Sequence, residues 1–160
     1  MALLCSMVAG AVEIEPGVSQ KLAEQRRAAV GNLCYDLKFR IPASRKEKVT
    51  GSAVIKFTYK KCGDDLQLDF QGADGQYGGV VTVNGKKRRA EWRSEHIILK
   101  ESWLKNGENA VDVAFTSGDK SLNRNDDYLY TLFVPDHARS VFPCFDQPDL
   151  KAVFKLKLDV

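Results

Sequence analysis

Histidine and cysteine are the residue types of this chain with the strongest potential for metal or nucleophile chemistry. The two histidines, His96 and His137, are far apart and fit no HExxH pattern. The four cysteines form no CxxC pair; they are Cys5, Cys34, Cys62 and Cys144. Structural zinc ligands and redox-active cysteines usually come in closely spaced pairs. The sequence therefore predicts no metal site in this chain, and no Ser/His/Asp or Cys/His catalytic set can be argued from it.

A basic run, Lys86-Lys87-Arg88-Arg89, followed by Trp92, is the densest cluster of charge. Such a run can contact phosphates while an aromatic ring stacks on a base. However, the chain has 24 basic and 21 acidic residues, a net charge of +3, and one basic stretch is not the footprint of a nucleic-acid-binding surface. We expect a solvated hairpin and an edge strand protected by lysines, and no nucleic-acid partner.

Length and composition indicate an ordinary globular domain. The chain has 160 residues, of which 44% are hydrophobic and 28% charged, and this balance excludes disordered, collagen-like and disulfide-scaffold classes. No apolar run reaches the roughly 18 residues that a membrane-spanning helix needs. We predict no transmembrane span.

The first twelve residues differ from the rest because they are small or apolar and carry no charged side chain. Ala9-Gly10-Ala11 matches the A-x-A pattern that precedes a signal-peptidase cleavage site. We interpret residues 1–11 as the remnant of a secretory signal, which predicts an exported protein, periplasmic, cell-envelope or secreted. The basic start of a signal peptide is missing, so a short apolar arm packed on the domain is the alternative.

Residues 12–31 read as a lead-in segment. Pro16-Gly17 marks a break, and Ser19 is a suitable N-cap for a short helix that ends near Val30. Because the helix is mostly polar, we expect it to lie on the surface.

From residue 32 onward, hydrophobic residues alternate with polar ones, the period of a half-buried strand. Asn84-Gly85 is a strong signal for a two-residue hairpin. About eight short strands follow one another at turn spacings near ten residues, at 32–41, 49–59, 66–70, 80–83, 96–99, 111–115, 128–134 and 153–158. The pattern predicts an all-β fold, an antiparallel β-sandwich over residues 32–160 with a short amino-terminal helix.

The segment from Ala138 to Pro148 reads ARSVFPCFDQP and lies between two apolar strands. Pro143 and Pro148 fix the backbone φ at two points, so the segment is predicted to be a rigid, sharply turned connector. Arg139 and Asp146 could pair across the turn and lock it.

This segment, followed by Lys151-Ala152-Val153-Phe154, resembles a signature of the zinc aminopeptidases of the aminopeptidase N type, the gluzincin family. Their amino-terminal domain carries AR-x-x-FPC-x-D-(E/Q)-P and then KA-x-F. The resemblance extends over about residues 18–160 through Tyr35-Asp36-Leu37, Val49-Thr50-Gly51 and the L-x-x-G-x-N pattern of 104–109. The positions that it marks as a structural motif are Arg139, Phe142, Pro143, Cys144, Asp146 and Pro148.

The resemblance implies a saddle-like antiparallel sandwich that is the non-catalytic first domain of a peptidase acting on peptide amino termini. In this family the zinc site, HExxH with a downstream Glu, lies in the next domain. We therefore expect this chain to hold no zinc, to be inactive alone, to cap the active-site cleft and to pack against the catalytic domain. Residues up to 160 look like a strand that would continue, so the domain is expected to be incomplete at its carboxyl end. The alternative function is a stand-alone β-sandwich module that binds protein or glycan.

One position departs from the family pattern. Family members usually carry Glu or Gln five residues before the motif arginine, where it helps to hold the α-amine of the peptide substrate. That position is Val134 here, and valine cannot accept a hydrogen bond. Either Asp136 replaces the missing acceptor, or Asp136 only caps the turn before Arg139. Val134 and Asp136 are thus the candidate substrate-binding residues.

Overall fold

A computed structural model describes residues 11–72 and 76–160 of the chain. These residues form one α-helix and eleven strands. Their bounds are α1 Gln20–Ala29, β1 Val30–Arg40, β2 Thr50–Tyr59, β3 Leu66–Asp69, β4 Tyr77–Val83, β5 Lys86–Arg89, β6 Glu91–Arg93, β7 His96–Leu99, β8 Gly107–Thr116, β9 Leu122–Arg124, β10 Leu129–Thr131 and β11 Ala152–Asp159. The all-β prediction is confirmed, and apart from Ala11 the predicted signal remnant lies outside the described residues.

The largest sheet has six strands in the order β11-β1-β2-β8-β4-β5. Its centre, β1, β2 and β8, alternates buried and more exposed residues, as the two-residue period predicts. The predicted antiparallel sandwich is confirmed, with one exception at an edge of this sheet: β11 runs parallel to β1, with Leu37 opposite Leu156. β11 arrives through the long connector of residues 132–151 and not through a hairpin, so no tight turn reverses its direction.

A three-stranded sheet, in the order β3-β7-β6, packs on the large sheet and completes the sandwich. Every residue of β3 and β7 is buried. Leu66 and Leu68 of β3 and Ile97 and Leu99 of β7 join the main hydrophobic core. The alternate residues point away from this core, and among these Gln67, Asp69 and His96 contact α1 or the segment before it. A polar face is therefore buried on the outer side of this sheet.

Two local predictions are confirmed. Ser19 caps α1, since its side-chain oxygen accepts a hydrogen bond from the backbone N–H of Leu22 at 3.3 Å. Asn84 and Gly85 have φ values of 50° and 79°, which gives the β4–β5 hairpin the left-handed turn that two-residue hairpins need.

Two other local predictions hold only in part. The strand predicted over 128–134 is only β10, which pairs with β9, and the chain then turns through a cis peptide bond at Val134–Pro135. The exposure of Tyr128, Leu132 and Val134 explains the mistake, because alternating apolar residues here do not mark a buried face. The helix is not a purely surface element either, since Arg26 is fully buried. No helix among the described residues is long and apolar enough to cross a membrane.

Candidate functional site

The segment 134–148, called the motif segment below, is fixed by hydrogen bonds to both sheets. Asp69 of β3 and Cys144 form an antiparallel bridge, with N–O distances of 2.8 and 3.0 Å in the two directions. The backbone N–H of Phe145 donates to the Tyr35 hydroxyl at 2.8 Å. Phe142, Cys144 and Phe145 are buried in the hydrophobic core. The predicted rigid connector is thus held by core packing and by hydrogen bonds at Cys144 and Phe145.

Arg139 lies among three carboxylates. Its guanidinium Nη2 donates to Asp136 Oδ2 at 2.9 Å, and its Nε lies 3.8 Å from Glu95 Oε2. Asp146 Oδ2 accepts instead from the backbone N–H of Arg139 at 3.0 Å. The predicted side-chain pair between Arg139 and Asp146 is therefore wrong, because Asp146 locks the turn through the backbone while the guanidinium faces the other two acids.

Val134 and Asp136 stand at the surface of the motif segment. Val134 is 75% exposed, and the Asp136 side chain is 45% exposed with one oxygen bound by Arg139. The structure brings Asp136, Arg139 and Glu95 together at this surface, and Val134 adds only an apolar side chain there. A carboxylate in this setting is able to accept a hydrogen bond from an ammonium group, and the valine is not.

A buried ionic network underlies the motif segment, and the sequence reasoning missed it. Arg26 of α1 donates to Asp69 of β3 through both terminal nitrogens, with 2.9 Å between Nη1 and Oδ2. Its Nη2 also donates to the Gln67 carbonyl. Both side chains of this ion pair are fully buried. His96 Nδ1 lies 2.8 Å from Asp69 Oδ1 without pointing straight at it, and Nε2 lies 2.9 Å from the Glu15 carbonyl.

The network reaches the motif segment through two residues. Asp69 Oδ2 accepts from the backbone N–H of Asp146 at 2.8 Å. The Gln147 amide donates to the carbonyl of Ala23 in α1 at 3.1 Å, and the Arg26 guanidinium lies over the Phe145 ring. In the sequence this network is signalled by Gln67 and Asp69, which alternate with Leu66 and Leu68. Such alternation on its own predicts that the polar side of the strand faces solvent.

The electrostatics of the network shift three acidic groups. Burial alone would raise the pKa of Asp69, but Arg26 and His96 outweigh it and hold the pKa below its usual value. Burial raises the pKa of Asp146. Burial also raises the pKa of the Cys144 thiol well above its usual value, which keeps the sulfur protonated and unsuited to nucleophilic attack.

The described residues contain no group of three His, Cys, Asp or Glu side chains that could hold a metal ion. His96 Nδ1 lies 2.8 Å from Asp69 Oδ1 and Nε2 lies 2.9 Å from the Glu15 carbonyl, so neither ring nitrogen faces a set of further ligands among the described residues. The donor set of this part of the chain therefore does not fit a catalytic zinc, which needs three protein ligands.

Comparison with known proteins identifies the fold and the family. The model of the peptidase M1 N-terminal domain matches residues 32–160. The probable aminopeptidase 1 of Sulfurisphaera tokodaii is 32% identical over 112 residues, which are 66% of this chain and 14% of that protein. The probable M1 family aminopeptidase 2 of Encephalitozoon cuniculi is 66% identical over 29 residues, 18% of this chain and 3% of the relative.

Solved structures agree. Native yeast LTA4 hydrolase superposes with a TM-score of 0.65 at 24% identity, over 82% of this chain and 23% of that one. The M1 zinc metallopeptidase of Deinococcus radiodurans superposes with a TM-score of 0.62 at 18% identity, over 81% and 32%. The chain spans less than a third of the length of these relatives. The family match extends over most of the chain and includes the whole motif segment, and the chain therefore belongs to the peptidase M1 N-terminal domain family.

Proposed function

We propose that this chain serves as the non-catalytic amino-terminal domain of a zinc aminopeptidase that removes residues from peptide amino termini. The observation that carries the proposal is the motif segment. Its family signature is fixed by hydrogen bonds to Asp69 and Tyr35, and its first residue, Val134, is exposed to solvent. The zinc would lie in the catalytic domain of the enzyme and would activate the water that attacks the scissile carbonyl. The role of this chain is to position the peptide and to cover the cleft.

An apolar groove of about 640 Å³ supports a packing role. It is lined by Phe154, Leu156 and Leu158 of β11 and also by Leu129 and Phe133. The three β11 side chains are each more than half exposed. A contiguous apolar surface of this kind is typical of an interface. The remainder of the enzyme, including its catalytic domain, is the partner that the family membership suggests.

Recognition of the substrate amine is assigned to the surface around Val134 and Asp136. Because Val134 has no acceptor, we propose that Asp136 Oδ1 receives the α-ammonium while Arg139 holds the other carboxylate oxygen in place. Removing a charged partner from a desolvated contact costs about 2–5 kcal/mol, or more than tenfold in kcat/KM.

The test is kinetic and uses the M1 enzyme that carries this domain. Asp136→Asn should lower kcat/KM for substrates with a free amino terminus at least about tenfold. Val134→Glu added to that variant should recover part of the loss. Asp126→Asn is the matched control, since Asp126 is an exposed acid paired with Arg45 and should leave kcat/KM unchanged. An unchanged kcat/KM in Asp136→Asn, with only the melting temperature lowered, would leave Asp136 as a turn residue.

The second candidate function is a stand-alone binding module. The apolar groove favours a protein segment over a glycan as its ligand, because sugar hydroxyls need polar partners and the groove offers few. An HExxH sequence encoded in the same polypeptide would decide for the enzyme.

Export from the cytoplasm is proposed on the residues that precede the domain. Its support is the uncharged, apolar character of residues 1–11 and the Ala9-Gly10-Ala11 pattern.

A further inference from the structure

The segment before α1 lies along the outer side of the small sheet and is held there by backbone contacts. The Glu13 carbonyl accepts from the Gln67 side chain at 3.3 Å, and the Glu15 carbonyl lies 2.9 Å from His96 Nε2. Residues 12–15 thus occupy a defined place on the domain even though the family match begins at residue 32.

At the start of this segment the backbone nitrogen of Val12 meets a carboxylate. Val12 N donates to Asp64 Oδ2 at 3.3 Å, and the Gln25 amide of α1 donates to the same oxygen at 2.9 Å. Asp64 is partly shielded from solvent. A peptide N–H needs only a neutral acceptor such as a carbonyl oxygen, whereas Asp64 offers a charged carboxylate.

Val12 is also the residue that follows the A-x-A pattern at 9–11. Hydrolysis of the Ala11–Val12 bond by a signal peptidase would add one water, leave a carboxylate on Ala11 and free the Val12 amine, which takes up a proton. The nitrogen beside Asp64 would change from a neutral donor of one hydrogen bond to an ammonium that donates three.

We propose that the chain is processed after Ala11 and that Asp64 is a built-in binding site for the resulting α-ammonium of Val12. Cleavage removes one hydrogen bond and strengthens another. The Lys21 ammonium loses the Ala11 carbonyl, which it binds at 3.1 Å, and the contact between Val12 N and Asp64 becomes an ionic one. This inference rests on the proposed export only for the cleavage, and the docking of the ammonium is testable without it.

The charges around the site leave Asp64 as the acceptor. On α1, the Lys21 ammonium is the cation near the site, since it binds the Ala11 carbonyl. Gln25, which donates to Asp64, is neutral. The neighbouring acid Asp65 is occupied by the Lys100 ammonium and the Glu101 backbone N–H, and the Glu101 carboxylate is bound by the N–H groups of Cys62 and Gly63. Glu13 is exposed.

The docking is tested by comparing two forms of the protein, the 160-residue chain and a chain released from a cleavable fusion with Val12 as its first residue. Asp64→Asn should lower the melting temperature of the Val12 form by about 2 °C more than that of the 160-residue form at pH 7. Because an α-amino group ordinarily has a pKa near 8, this excess should disappear at pH 10. The loss of the Gln25 contact affects both forms equally and cancels in the comparison.

Asp65→Asn is the matched control and should lower both forms alike, because Asp65 does not contact Val12. Equal effects of Asp64→Asn on the two forms, or an excess that persists at pH 10, would overturn the docking. The cleavage is tested by the intact mass of protein secreted from a bacterial host. A mass beginning at Val12, abolished by Ala11→Tyr, is expected, and a mass beginning at any other residue would overturn the processing site.

Discussion

At the scale of single residues, the burial of Arg26 is the feature that most constrains this domain. A buried arginine and aspartate lose their hydration, and the loss is offset only when the geometry is good and the remaining hydrogen bonds are made. Here the pair is bidentate, Gln67 takes a further guanidinium proton, and Phe145 lies under the guanidinium plane. The ion pair joins α1, β3 and the motif segment, so its removal should affect all three.

Arg26→Met should lower the free energy of unfolding by about 3–5 kcal/mol, because it leaves the Asp69 carboxylate buried without its cation. Chemical denaturation measured by circular dichroism checks the loss. Arg27→Met is the control on the same helix, since Arg27 is exposed and its contact with Asp149 is 3.7 Å long. A similar loss in both variants would show that helix propensity and not the ion pair is responsible.

The lowered pKa of Asp69 predicts a pH dependence of stability. Because the pKa is lower in the folded than in the unfolded chain, the ion pair contributes its full stability above the unfolded value, near 4, and loses it as the pH falls through the folded value. The difference in melting temperature between the wild type and Asp69→Asn should therefore be large at pH 7 and shrink progressively below pH 4. A difference that stays constant down to pH 2 would refute the ionised state of Asp69.

Asp146 should behave in the opposite sense. Burial raises its pKa in the folded chain. The ionised carboxylate therefore lowers the stability of the folded chain at pH 7, and that stability is regained as the pH falls and Asp146 is protonated. Asp146→Asn keeps an oxygen for the Arg139 backbone N–H and removes the charge. We expect the variant to be at least as stable as the wild type at pH 7 in thermal unfolding, and a clear loss at that pH would contradict the assignment.

At the scale of elements, the two-residue period and the turn residues were sufficient to predict most strands and the Asn84-Gly85 hairpin. They could not predict the polar face of β3, because Gln67 and Asp69 look solvent-facing until a helix that is distant in sequence covers them. The direction of β11 was also beyond the pattern, since alternation is the same for parallel and antiparallel strands. At the motif segment, spacing predicted the rigid turn but assigned Asp146 to the wrong donor of Arg139.

The close pairing of β2 with β1 and β8 depends on a glycine. A Cβ on Gly51 would lie 2.7 Å from the Lys38 carbonyl oxygen and 2.6 Å from the Phe115 ring. Gly51→Ala should therefore cost about 1–3 kcal/mol of unfolding free energy through overpacking. Gly78→Ala in β4 is the control, because a Cβ there would meet nothing within 4 Å. Equal losses in thermal or chemical unfolding would contradict the close approach at Gly51.

At the scale of the whole molecule, the domain has two contrasting sides. Around the small sheet, the helix and the segment before it cover a polar network in which Arg26, Asp69 and His96 are fully buried. Around β11, Val153, Phe154, Leu156 and Leu158 remain more than half exposed beside an apolar groove. A domain with a covered polar side and an open apolar side fits the proposed packing against the rest of an enzyme.

The most direct test of this account measures bound zinc and aminopeptidase turnover in the 160-residue chain and in the same domain joined to an M1 catalytic domain. We expect the isolated chain to hold no stoichiometric zinc and to release no amino acid from an aminoacyl reporter, because its described residues offer no set of metal ligands. The joined protein should hold one zinc and turn the reporter over. One tightly held zinc per isolated chain, or turnover that survives rigorous purification, would contradict the assignment of this chain as a non-catalytic domain.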